Sequence, residues 1–268
     1  MPDVRLVLDP GWALCLEGSL LVVHAGGDRR LELEDCPPVA AGELIDALGG
    51  DGADPQALSG DAARAVRQLV LLGALRPELM PPGTPLEVGL IFAGDAPGDL
   101  AAELIKAIDP AAVVLTDDPG AARLWLVVRT NATLAQAADR APRLQPHLFA
   151  DAAYHHTLSL GPLVIPGQTA CVACLAGRIG HRWGDPDPPA APLAARRLGL
   201  LAGWIAAELE NVASGSSTLA NRTVSMDIAS HRMIDHSLLR LPWCPSCGDV
   251  PATGRIELPW APASGPGR

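Results

Sequence analysis

The sequence predicts two α/β units in series: a small α+β domain over residues 1–80, then a larger α/β domain over residues 86–259. Three observations carry that prediction. Apolar and polar residues alternate in short runs at the start of the chain, as strands of a half-buried sheet require. Residues 80–85, Met80-Pro81-Pro82-Gly83-Thr84-Pro85, concentrate residues that break helices and strands, so 81–85 reads as a linker. Beyond it, strand-like and helix-like segments take turns, the pattern of a parallel sheet with crossover helices.

In the first domain the strands are Val4-Arg5-Leu6-Val7-Leu8, Ala13-Leu14-Cys15-Leu16 and Leu20-Leu21-Val22-Val23, with a turn at Gly26-Gly27-Asp28. Arg30-Leu31-Glu32-Leu33-Glu34 returns as a further strand of a small antiparallel sheet. Helical periodicity follows from Val39 to Leu48 and from Asp61 to Leu72, the second capped by Ser59 or Asp61 and ended by Gly73. In the second domain, Leu86 to Phe92 reads as a buried strand, Asp99 to Ile108 as a helix, and Ala112–Leu115 and Leu124–Val128 as two more strands. Leu193 to Val212 predicts a long helix whose Trp204, Ile205 and Leu209 form an apolar stripe, read as core packing with a subunit or partner interface as the alternative. Thr223 to Ile228 predicts a strand, and Trp260 to Arg268 a disordered tail. His155 and His156 are read as strand neighbours pointing apart, hence packing residues and not a metal pair.

Apolar residues make up 49% of the 268, enough for a sizeable core. The longest apolar runs, such as Leu69 to Leu75, fall far short of the roughly 20 residues that cross a bilayer, and no basic-then-apolar signal opens the chain. A cytoplasmic protein is therefore expected, with no membrane partner. The formal charge of −10 disfavours nucleic acid, which normally demands a basic face. Residues 1–80 hold thirteen carboxylates against six arginines, so most of the negative excess lies there.

Cys171-Val172-Ala173-Cys174 and Cys244-Pro245-Ser246-Cys247 are two C-x-x-C hooks about 70 residues apart. Two thiolates three positions apart converge on one metal from a tight turn, and a second hook completes the tetrahedron of a closed, structural zinc site. Two disulfides, a redox pair and an iron–sulfur centre are the alternatives. Cys15 and Cys36 sit in apolar contexts and are expected to be buried core residues.

The run Gly161-Pro162-Leu163-Val164-Ile165-Pro166-Gly167-Gln168-Thr169-Ala170-Cys171, with Cys174 and the closing Leu241-Pro242-Trp243-Cys244-Pro245-Ser246-Cys247-Gly248, resembles the ThiF-like leader-binding proteins of azol(in)e-forming ribosomal peptide biosynthesis. The resemblance extends to residues 3–79, which look like a PqqD-like recognition element. It implies a winged-helix-like α+β peptide-recognition domain followed by a degenerate ThiF-like α/β domain with structural zinc. It also implies a noncatalytic role as partner of a YcaO cyclodehydratase, the present chain binding the leader of a precursor peptide. In such elements the leader adds as a strand beside the last strand of the small sheet, against the third helix. Mapped here, the strand is Arg30–Glu34 and the helix Ala62–Leu72, so Arg30, Leu31, Glu32, Leu33, Arg64, Arg67, Gln68 and Leu71 are the expected peptide-binding residues. Arg64 and Arg67 would meet leader carboxylates, and a proline at Leu31 or Leu33 is expected to remove a backbone donor from the strand, only one of the two positions facing the added peptide.

The domain after Pro85 resembles the fold of adenylating enzymes with a glycine-rich ATP loop. Here the loop reads Gly94-Asp95-Ala96-Pro97-Gly98-Asp99, with Ala96 and Asp99 where G-x-G-x-x-G has its second and third glycines. ATP is not expected, Gly94 and Gly98 read as a strand-to-helix turn, and Asp117 and Asp118 as solvated loop carboxylates. Two other functions stay open: an adenylating enzyme acting on a peptide carboxylate, and a zinc-ribbon nucleic-acid binder. A homodimer is compatible with the sequence.

Overall fold

The computed structural model describes residues 5–9, 11–27, 29–50, 52–78, 84–192, 196–254 and 256–260. Two compact units emerge, one within the first 82 residues and one within residues 83–263. The chain is a mixed α/β protein in which no described helix is long and apolar enough to cross a membrane. Residues 81–83 of the expected linker and Val4 of the first expected strand lie outside the described residues.

The first unit contains β1 (Leu6–Leu8), β2 (Trp12–Glu17), β3 (Leu20–Ala25), β4 (Arg30–Leu33), α1 (Pro38–Gly49), α2 (Gly60–Leu71) and β5 (Leu75–Pro77). Strands β2, β3 and β4 form an antiparallel meander with β4 at one edge, and β1 pairs separately with β5. Alternation decides the faces: Leu21, Val23 and Leu33 point into a core shared with Ala41 and Leu44 of α1 and Ala65, Val66 and Leu69 of α2. Ser59 caps α2 by accepting from the Ala62 amide at 3.4 Å, and Gly73 follows the helix at φ 77°. The helix aligned with β4 is thus the second of the unit, since residues 55–58 form turns where a third would lie.

The second unit is built on a seven-stranded sheet. Its strands are β6 (Leu86–Ala93), β7 (Val113–Leu115), β8 (Leu124–Arg129), β9 (His147–Asp151), β10 (Thr157–Val164), β11 (Arg222–Asp227) and β12 (Arg232–Ser237). The order is β12-β11-β10-β9-β8-β6-β7, and the helices are α3 (Leu100–Ala107), α4 (Leu134–Arg140), α5 (Val172–Trp183) and α6 (Leu198–Ala213). Strands β7, β6, β8 and β9 run parallel, whereas β9 to β12 pair antiparallel. The sheet is therefore mixed, not wholly parallel. The apolar runs of β6 and β8 mark them as strands in the sequence; β12, exposed at every position, carries no such signal.

Three expectations are corrected. His155 and His156 lie in the bend between β9 and β10, outside any strand. The long helix begins at Leu198, after residues 193–195, which fall outside the described residues. Trp260 is buried and its indole N–H donates to the Val212 carbonyl at 3.0 Å, so the expected tail cannot begin there; its remainder lies outside the described residues.

Candidate functional site

The run before the first hook is a device for aiming Cys171. Thr169 receives the Ile165 amide at 2.8 Å and donates to the Leu163 carbonyl at 3.1 Å, closing a tight loop after β10. Gly167 lies at φ 78°, and a Cβ there would stand 2.8 Å from the Pro251 carbonyl, so only glycine lets the two segments touch. Asn221 then receives the Ala170 amide at 2.7 Å, which brings Cys171 to the N-cap of α5 and Cys174 into its first turn. Unpaired amides and the helix dipole at that end favour thiolates. The second hook turns back on itself, the Gly248 amide donating to the Cys244 carbonyl at 2.8 Å.

All four cysteines are buried, and their sulfurs lie within 4.8 Å of one another. Cys171 stands 3.8 Å from Cys174 and 3.5 Å from Cys244, and Cys174 stands 3.6 Å from Cys247. Zinc–sulfur bonds of about 2.3 Å imply tetrahedral edges of about 3.8 Å, whereas a disulfide needs about 2.05 Å. The spacing fits one ion and leaves no room for a multi-atom cluster. Donation from the Cys171 thiol, with help from the Leu241 amide, holds Cys174 down to about 4, while that same thiol pairing and burial push Cys171 up. Burial raises Cys247 to about 11. If all four cysteines ionised in this apolar setting they would require a cation among them, a charge that a divalent metal would supply.

Sequence reasoning missed Arg240, four residues before the second hook. Its guanidinium donates to the carbonyls of Gly167 at 3.1 Å, Val250 at 2.9 Å and Cys247, stapling one hook's approach to the other hook. An arginine just upstream of a hook was the only available signal. Replacing it, as Arg240→Ala, removes the donor to three carbonyls. A loss of about 1–3 kcal/mol in stability is expected, with faster zinc release to a chelator, read by thermal melting and a colorimetric zinc assay.

Cys36 is buried, but Cys15 is only half buried and sits on the outer face of the meander with Glu17 and His24. The expectation of a core residue fails because alternation places Leu14 and Leu16 on the inner side. This trio is no metal candidate: Arg30 already donates to Glu17 at 2.8 Å, setting a guanidinium where a cation would need to bind.

In an open α/β sheet, ligands favour the carboxyl ends of strands where chain order reverses. That place lies past β6 and β8, where Asn131 and Thr130 pack against the loop that follows β6. Gly94 has φ 99°, and a Cβ would meet Asn131 Oδ1 at 2.4 Å and Thr130 Oγ1 at 2.6 Å. Asn131 accepts from the Asp95 amide and donates to the Asp95 carboxylate, both at 2.7 Å. The Asp95 amide is thereby spent, and the Asp95 carboxylate beside it disfavours an anion. Asp118 shapes its own turn by accepting from the Gly120 amide at 2.8 Å, and Asp117 is exposed next to it.

Between β4 and α2 lies a groove of about 480 Å³ lined by Leu31, Glu32, Leu33, Glu34, Asp35, Gln68, Leu71 and Leu72. The structure thus gathers five of the residues expected to bind peptide, namely Leu31, Glu32, Leu33, Gln68 and Leu71. Leu71 is 87% exposed, a large apolar side chain with little cover. Arg30, Arg64 and Arg67 fall outside the lining. Arg30 pairs with Glu17 and Glu32, Arg64 pairs with Asp61, and Arg67 is exposed on α2.

No protein-family model matches the sequence, and no curated protein matches it. Solved structures do. A heterocyclase in complex with substrate and cofactor aligns with 92% of this chain and 40% of its own, at TM-score 0.56 and 17% identity. The heterocyclase TruD aligns over 92% and 43%, at 0.53 and 21%. E. coli MccB, in a structure with AMPCPP and MccA, aligns over 91% and 100%, at 0.51 and 14%. The chain spans about two-fifths of each heterocyclase and the whole of MccB. At these identities the likeness is one of fold: these 268 residues share the architecture of MccB and of part of the heterocyclases.

Proposed function

We propose that this chain is a noncatalytic, cytoplasmic partner in ribosomal peptide modification. It captures the leader of a precursor peptide on a winged-helix-like, PqqD-like first unit and delivers it to a separate YcaO-type cyclodehydratase, which performs ATP-dependent azoline formation. The observation that carries the reading is the groove between the edge strand β4 and α2, floored by leucines and flanked by the exposed Leu71. A free strand edge beside an apolar helix face is what strand-addition binding uses. The fold shared with heterocyclases and with MccB supports a place in that chemistry. A ThiF-like second unit, held together by zinc on Cys171, Cys174, Cys244 and Cys247, would dock the enzyme. Tethering raises the local substrate concentration without any catalytic residue here.

Reconstitution tests the reading. A YcaO enzyme encoded beside this chain should cyclise its precursor much faster with the chain present, and lose that gain when the leader is removed from the precursor. An equal rate without the chain would refute it.

A second reading, an adenylating enzyme acting on a peptide carboxylate, has in its favour the full-length match to MccB, one of whose structures holds AMPCPP. Against it stands the loop past β6, closed by Asn131 and Thr130. Calorimetry should accordingly show no saturation by Mg-ATP at millimolar concentration, and the isolated protein should exchange no pyrophosphate into ATP. Clear saturation would promote the second reading.

A further inference from the structure

Resting on the peptide-capture reading above, the geometry points to a particular class of peptide: an extended segment with apolar side chains toward α2 and a basic side chain beside Glu34 and Asp35. Residue alternation fixes the apolar half. Leu31 and Leu33 face the core side of β4, and Leu33 is buried among the residues of α1 and α2. An added strand in register would turn every second side chain to this side, over Leu71 and Leu72.

Charge fixes the other half. Along the strand side, the groove wall carries three carboxylates and no cation: Glu32, Glu34 and Asp35. Glu32 is satisfied by Arg30. Glu34 and Asp35 are exposed in the turn after β4 and have no ion pair among the described residues. Of the nearby cations, Arg64 is held by Asp61 and Arg67 sits on the helix outside the lining. The whole first unit is acidic, so its wider field adds to the local preference. Like charges set opposite each other across a strand pair are destabilising, so an acidic segment meets a penalty at this end of the groove.

Selection of random displayed peptides on the immobilised full-length protein tests this, with counter-selection on Leu71→Asp. Enriched peptides should alternate apolar residues with Lys or Arg. The double variant Glu34→Lys/Asp35→Lys should bind them roughly tenfold more weakly at low salt, with the gap closing at high salt, and should itself select Asp and Glu. Peptides that require Leu71 but lack basic bias, and bind the double variant as well as the wild type, would overturn the charge assignment and leave peptide capture standing. If no peptide distinguishes the wild type from Leu71→Asp, both fall. The two acidic side chains are exposed, so circular dichroism of the double variant should match the wild type.

Discussion

Protein purified without chelator should carry about one zinc per chain by elemental analysis, and Cys171→Ser or Cys244→Ser should carry almost none. Three of the six sulfur separations lie at 3.5 to 3.8 Å and all lie within 4.8 Å, which suits a tetrahedral thiolate site, and four protein ligands would leave no position open for water. The cysteines share a core with Ala93 and Val127 of the sheet and Leu134 and Ala137 of α4. Losing the ion would leave buried thiols in place of metal bonds and release the segment 240–250 from α5. Structural zinc contributes on the order of 10 kcal/mol in small zinc domains. A cost of even a third of that would exhaust much of a typical domain's margin, so the serine variants should be insoluble or readily proteolysed. Acid should act through the same site: thiolates bound to metal have depressed proton affinity, so stability is lost as pH falls and protons displace zinc. Chelator-free dialysis at decreasing pH, followed by zinc analysis, checks this. Zinc-free protein that is soluble and cooperative in melting would refute the structural assignment.

How much of this was legible in the sequence depends on the kind of signal. The hooks were readable because ligand chemistry is local: two cysteines at C-x-x-C spacing converge on their own, and only the pairing of distant hooks needed the fold. The strands β6 and β8, short and mostly apolar runs, were readable from their hydrophobicity. Strand β12 was not, because Met233 and Ile234 are exposed and its other residues polar, so nothing marks an inner face. Arg240 and Asn131 were invisible for another reason: Asn131 binds the Asp95 amide 36 residues away, and Arg240 joins the Gly167 carbonyl 73 residues away to those of Cys247 and Val250. Their partners exist only once the loops meet. Glycine counting singled out the loop after β6, but the contact of Asn131 with Gly94 and Asp95 lies outside any loop motif.

Glu32→Pro should weaken leader binding by about tenfold or more while leaving fold and zinc content intact, since one unmade edge bond costs about 1–3 kcal/mol and 1.4 kcal/mol is tenfold. The choice of residue follows from register. The Ala25 amide donates to the Arg29 carbonyl at 2.9 Å, which makes that pair hydrogen-bonded across the β3–β4 turn. Hydrogen-bonded and non-hydrogen-bonded pairs alternate along an antiparallel ladder. With Val23 opposite Leu31 and Leu21 opposite Leu33, those two residues direct their amides inward to β3. The free-edge donors are therefore Arg30 and Glu32, and neither Leu31 nor Leu33 presents its amide to an added strand, where one of the two was expected to. Proline is tolerated on an edge strand where its missing N–H faces outward. Leu31→Pro, by contrast, breaks the β3–β4 ladder and should lower the melting temperature of the first unit along with binding. Fluorescence polarisation with a labelled leader separates the two variants: Glu32→Pro loses affinity at unchanged stability, Leu31→Pro loses both. Wild-type affinity in a well-folded Glu32→Pro protein would mean that the leader does not add to β4.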